Sequence, residues 1–184
     1  MYRTVLVIFV LGCLNVFHMG AAGAETRYNF TTQKIKVPAK FKKKTVRYPT
    51  SERPGTIVID TRRKYLYYVL GNGQALRYGI GVGRAGFEWK GTERISRKAK
   101  WPSWRPPPEM LQRQPDLPTF MPGGPDNPLG ARALYLGGTL YRIHGTLERW
   151  SIGRAMSSGC IRMLNEDVID LYDRAQVGTK VVVN

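Results

Sequence analysis

Two short segments carry residue types suited to acyl transfer. They are Ile143-His144-Gly145-Thr146 and, further along, Ser157-Ser158-Gly159-Cys160-Ile161-Arg162-Met163. A cysteine attacks a carbonyl as its thiolate, yet a free thiol is mostly protonated at neutral pH. An adjacent imidazole can take that proton and later return one to a leaving amine. Cys160 as nucleophile and His144 as general base are therefore the candidate catalytic pair. Gly159 permits backbone conformations that other residues avoid, so Cys160 can sit at a sharp corner. Backbone amides of that corner, around Ser158 and Gly159, could point at a developing oxyanion. No Asp or Glu stands at an obvious orienting position, which leaves a backbone carbonyl, that of Gly145, to fix the imidazole. Arg162 either binds a substrate carboxylate or pairs with an acidic neighbour.

The pair gains weight from what surrounds it in the sequence. Arg3 is followed by an apolar run over residues 5–17 and by the small residues Ala22-Gly23-Ala24. That order matches a cleavable secretory signal over residues 1–24, and the run is shorter than the roughly 20 apolar residues of a membrane-spanning helix. A lipidated Cys13 and an uncleaved anchor are the competing readings. Cys13 and His18 both fall in this leader, so the mature chain keeps one cysteine and one histidine, Cys160 and His144. A lone cysteine in an exported protein forms no internal disulfide. Taken singly, it reads as a small buried hydrophobe, and a lone histidine as an incidental polar residue. Their survival as a pair, each beside glycine, favours chemistry. One His and one Cys are too few soft ligands for a metal site, and no zinc spacing is present. Neither a metal nor a cofactor is expected.

The 184 residues suit one domain with appendages, and 42% hydrophobic content suffices for a core. The net charge of +16 favours anionic surroundings such as wall polymer or lipid headgroups. Nucleic acid is not an expected partner of an exported chain. Residues 25–54 form a basic lead-in in which seven cations from Lys34 to Arg47 occur with no acidic residue among them. It reads as a solvated linker, with a wall-binding patch as the alternative, and Phe41, Val46 and Tyr48 could let it lie against the domain.

Elements able to position the pair begin at residue 55. Residues 56–60 are β-branched, and 64–70 and 74–82 are strand-like runs around the hairpin signal Gly71-Asn72-Gly73. Further strands are expected over 92–100, 133–136 and 140–144, the last two joined by Gly137-Gly138, and a buried one over 179–183. A helix is expected from Asn165, read as its N-cap, with Glu166 and Asp167 in the first turn and Val168, Leu171, Tyr172 and Ala175 on one face. Residues 101–130 hold nine of the 12 prolines with Trp101, Trp104 and Phe120. Such a length without periodicity points to an ordered lid or substrate-lining loop. The fold class is mostly β with one substantial helix, and the domain covers residues 55–184.

With these motifs in place, the chain resembles the YkuD-type L,D-transpeptidases of the bacterial envelope. The resemblance is densest in Met121-Pro122-Gly123-Gly124-Pro125, residues 127–134, Tyr141-Arg142-Ile143-His144-Gly145-Thr146 and residues 157–165. Many members have His before Gly-Cys and Asn two residues after Cys, where this chain has Ser158 and Arg162. The resemblance implies a β-sandwich-like catalytic domain in the periplasm. It also implies a reaction in which Cys160 attacks the third stem residue of a peptidoglycan tetrapeptide, releases D-alanine and forms a thioester. A diaminopimelate amine, an envelope protein or water would resolve the thioester, and carbapenems would acylate the same thiol. Sortase-like enzymes need a different approach to Cys, and NlpC/P60 peptidases place Cys before His. A non-catalytic basic wall-binding module explains the charge but leaves the pair as coincidence.

Overall fold

The computed structural model describes residues 35–184. Expectations for the leader 1–24, and for the lead-in before residue 35, lie outside the described residues. Ten strands form the sheet. They are β1 (Lys44–Arg47), β2 (Ile57–Asp60), β3 (Tyr65–Gly71), β4 (Gln74–Gly83), β5 (Gly91–Lys100), β6 (Arg132–Leu136), β7 (Arg142–Thr146), β8 (Ala155–Ser157), β9 (Ile161–Leu164) and β10 (Lys180–Val183). Two helices accompany them, the short α1 (Pro108–Arg113) and the longer α2 (Asn165–Arg174).

The pairing order runs β4-β3-β2-β10-β5-β6-β7-β9, and β9 pairs back onto β4. The ten-residue β4 makes this possible, its first half pairing with β3 and its second with β9. The expected sandwich is thus joined into a closed circuit. Inside it lie Ile57, Leu66, Tyr78, Ile95, Leu134 and Met163, each 0–1% exposed. The β3–β4 hairpin follows from its turn residues. Asn72 and Gly73, at φ 50° and 67°, form a two-residue loop of the hand that matches strand twist.

The lead-in departs from a solvated linker. A 3-10 turn over Ala39–Phe41 buries the Phe41 ring, 8% exposed, against Ile152 and Leu164. β1 then pairs antiparallel with the start of β4, and Tyr48 stacks on Tyr67 at 4.3 Å. Lys43 meets Asp170 of α2 at 3.3 Å. Backbone pairing and two aromatic anchors carry this segment, while its lysines stay exposed.

Helix α2 begins where expected, but Asn165 does not cap it. Its side chain turns into the sheet and is 3% exposed. There Oδ1 accepts from the Ala131 N–H at 2.9 Å, and Nδ2 donates to the Thr146 carbonyl at 3.3 Å. A Cβ at Gly145 or Gly130 would run into this amide, which explains both glycines. Asn165→Ala strands two buried backbone groups. We expect a loss of about 2 kcal/mol, seen as a Tm lower by roughly 4–8 °C. An unchanged Tm would remove Asn165 as a brace.

Asp167, in the first turn of α2, has a buried Oδ2 with no hydrogen-bond partner. Burial, assisted by Glu166, pushes its carboxyl up to about 7. The unfolded chain releases this proton near 3.9. Stability from Asp167 is therefore complete below about 4 and is lost as pH rises through 7. Asp167→Asn should raise Tm at pH 8, by the equivalent of about 1–3 kcal/mol, and change it little at pH 4. Equal shifts at both pH values would contradict this assignment.

Candidate active site

β7 and β9 lie side by side and parallel, with Ile143 opposite Ile161 and His144 opposite Arg162. Ile143, Ile161 and Met163 face the core. Alternation along a strand then turns Arg142, His144 and Arg162 to the other face. Cys160, one residue before β9, joins them on that face. The two segments that carry the sequence motifs are thus neighbours in space, and the strand pairing explains why.

Over this face lies a cavity of about 540 Å³, lined among others by His144, Cys160, Arg142 and Arg162. Its roof comes from residues 101–130 through Trp104, Pro107, Met110, Pro128 and Leu129. That segment is ordered, as its composition suggests. Trp104 and Met121 exchange backbone hydrogen bonds of 2.9 and 2.8 Å. Asn127, 1% exposed, donates to the Pro122 carbonyl at 2.8 Å and accepts from the Leu129 N–H at 2.9 Å. A larger hollow of about 730 Å³ lies beside the lead-in and α2, away from Cys160.

His144 is 5% exposed, and its Nδ1 lies 2.5 Å from the Gly145 carbonyl oxygen. A carbonyl only accepts, so Nδ1 carries the proton and Nε2 keeps its lone pair. Burial pulls this imidazole down to about 3, against the pull of the Gly145 and Leu129 carbonyls, and the cations Arg162 and Arg142 push the same way as burial. Burial raises the Cys160 thiol above its ordinary range, opposed by the Arg142 guanidinium and N–H and by Arg162. Both shifts favour the uncharged forms of these two groups, which share the lining of the cavity.

The turn before Cys160 is held from several sides. Gly159 sits at φ 100°, and the Tyr141 ring occupies the place where a Cβ would point. The Ser157 hydroxyl accepts from the Gly159 N–H at 3.2 Å and donates to the Cys160 carbonyl at 2.6 Å. The Gly159 amide is therefore committed within the turn, which weighs against it as an oxyanion donor. The Ser158 hydroxyl accepts from Arg84 at 3.1 Å. Trp89 Nε1 donates to the Gly159 carbonyl at 2.9 Å, and its ring stacks on Tyr141 at 4.6 Å.

Arg162 pairs with Glu148, whose side chain is 49% exposed, so its charge is partly answered from within the chain. Arg84 and Trp89 escape sequence reasoning, and Tyr141 and Arg142 entered it only as part of the motif around His144, without a role of their own. Arg142 stands two residues before His144, and its period-two spacing was the one available signal. Arg84 and Trp89 reach the turn from the loop after β4, beside the β4–β8 pairing, and Tyr141 reaches it from just before β7.

A buried imidazole and a half-buried thiol share one outer face of a closed β domain, which places this chain among proteins with a cysteine–histidine site. The chain belongs to the YkuD family, whose L,D-transpeptidase catalytic domain matches residues 54–183. It is 39% identical over 143 residues to the Escherichia coli K12 protein described as probable L,D-transpeptidase ErfK/SrfK, covering 73% of this chain and 45% of that one. Similarity to the K12 protein described as probable L,D-transpeptidase YbiS is 36% over 141 residues, with 72% and 45% covered. The chain spans about half the length of these curated relatives. A Brucella melitensis crystal structure described as a probable carnitine operon oxidoreductase is 49% identical, with TM-score 0.53 and coverage of 79% and 94%. The catalytic domain of an E. faecium L,D-transpeptidase acylated by ertapenem shares the fold at 17% identity, with TM-score 0.55 and coverage of 73% and 100%. Among the described residues, no helix is long and apolar enough to cross a membrane.

Proposed function

We propose that the chain is an L,D-transpeptidase in which Cys160 is the nucleophile and His144 the general base. The observation that carries this reading is the placement of both on one face beneath a roofed cavity, with His144 Nδ1 tied to the Gly145 carbonyl. The donor is a peptidoglycan tetrapeptide stem. His144 Nε2 takes the thiol proton as Sγ attacks the carbonyl of the third stem residue, and a tetrahedral oxyanion forms. On collapse the imidazolium returns the proton to the leaving nitrogen, D-alanine departs, and a thioester joins the stem to Cys160. An acceptor amine, from diaminopimelate or an envelope protein, then gives up its proton to His144 and displaces the thiolate. Water in that position would give carboxypeptidase activity.

Arg162 is suited to receive a stem carboxylate in exchange for Glu148, since that partner is half exposed and the cavity reaches the guanidinium. A carbapenem would acylate Cys160 by the same attack. The reaction belongs in the periplasm, with residues 1–24 as the export signal and 55–184 as the catalytic unit.

The test uses purified residues 25–184 with disaccharide-tetrapeptide, read by mass spectrometry. Expected are a covalent adduct on Cys160 and free D-alanine. Folded protein that forms no adduct with tetrapeptide or carbapenem would sink the catalytic reading, and a basic wall-binding module would lead.

A further inference from the structure

The turn that presents Cys160 has an anchor whose effect reaches the reaction. The carbonyl of Gly159 and the N–H of Cys160 belong to one peptide unit. Among the described residues no peptide bond is cis, so these two groups point in opposite directions within a plane. Trp89 Nε1 holds the Gly159 carbonyl at 2.9 Å. Whatever fixes that carbonyl also fixes where the Cys160 N–H is aimed. The N–H points away from Trp89, and Cys160, to which it belongs, lines the substrate cavity, whereas Trp89 and Gly159 line a separate hollow.

We infer that Trp89 is a positioning residue that aims the Cys160 amide at the oxyanion formed during acylation. This rests on the acyl-transfer reading above. Three further contacts make the arrangement stiff. The indole stacks on Tyr141 with rings 4° from parallel, so it cannot tilt freely. Tyr141 in turn fills the space beside Gly159, whose φ of 100° suits only glycine there. The next peptide unit is pinned as well, by the Ser157 hydroxyl on the Cys160 carbonyl. Both peptide units flanking the nucleophile therefore have side-chain anchors. Only the Trp89 anchor controls a donor next to the sulfur.

Oxyanion donors act when they are aimed before the charge develops, and loss of one costs about 10²–10³ in rate. Trp89→Phe keeps an aromatic ring against Tyr141 and deletes only the N–H. Two reactions at the same sulfur separate aim from structure. Acylation by a carbapenem such as ertapenem passes through an oxyanion, whereas alkylation by iodoacetamide does not. We expect Trp89→Phe to acylate at least tenfold more slowly, toward the ~10² of a lost donor. Its alkylation rate and Tm should stay close to those of the wild type. Trp89→Leu, which also loses the stack, should show the same split more strongly. Acylation at the wild-type rate in Trp89→Phe would overturn the inference. So would equal slowing of both reactions, which marks a structural role only. A wild-type chain that alkylates but acylates with neither carbapenem nor tetrapeptide would instead overturn the acyl-transfer reading, and this inference with it.

Discussion

Replacing Cys160 by alanine is expected to abolish acylation by tetrapeptide and by carbapenem, with a fall of more than about 10⁴-fold in rate, because the covalent route disappears. The mass shift should vanish and D-alanine release should drop to background. Folding should hardly change. Cys160 is half exposed, and the core residues beside it, Ile143 and Ile161, stay in place. A stability change beyond about 1 kcal/mol would be surprising for that environment. Serine is a sharper probe than alanine. Its hydroxyl is far less acidic than a thiol, and among the described residues it is backbone carbonyls, those of Gly145 and Leu129, that act on the His144 ring, not a carboxylate. Cys160→Ser should therefore remain near the alanine level. Release of D-alanine by the alanine variant at even a tenth of the wild-type rate would place the chemistry elsewhere.

His144→Ala is expected to lower acylation at pH 7 by about 10²–10⁴-fold, the range for loss of a general base. The pH behaviour distinguishes this base from an ordinary histidine. Burial holds the imidazole down to about 3, so it stays neutral and able to accept a proton far below the usual 6.5. Wild-type acylation should not fall as pH drops from 7 to 5. The thiol is pushed up, so alkylation of Cys160 should climb steadily above pH 8 with no plateau near 6. A preformed thiolate–imidazolium pair would give that plateau, and finding it would refute the neutral resting state. Stability follows the same shift. The unfolded chain binds a proton below 6.5 that the buried ring refuses, so the contribution of His144 is intact above 6.5 and is lost as pH falls toward 3. His144→Ala should be less acid-sensitive than the wild type over that interval.

The parts of this protein that could be read from the sequence are those whose rules are local. Asn72-Gly73 needs positive φ at both positions, and that requirement alone placed the β3–β4 hairpin. The buried faces of β2 and β10 announced themselves through β-branched runs. The Cys–His pair stood out through chemical scarcity, as the single cysteine and single histidine of residues 25–184. What was missed depends on distant partners. Asn165 has every local mark of a cap, yet Ala131 and Thr146 across the sheet compete for its amide and win. Seven cations made the lead-in look solvated, although strand pairing draws on backbone groups and leaves lysine side chains in water. β8 is three residues long and has no pattern to show. Trp89 is one of four tryptophans, and nothing near it in sequence marks it as the one that meets the nucleophile turn.

β10 also bears on when the site comes into being. It follows every other strand in sequence, yet it sits between β2 and β5, parallel to one and antiparallel to the other. Without it the remaining strands of the circuit make an open ribbon with bare edges at β2 and β5, which invite pairing with other chains. Pairings between segments so far apart form late and slowly. A growing chain therefore carries its thiol for some time on an unfinished scaffold. Until Lys180–Val183 inserts, those two edges stay unpaired and the circuit that includes β7 and β9 stays open.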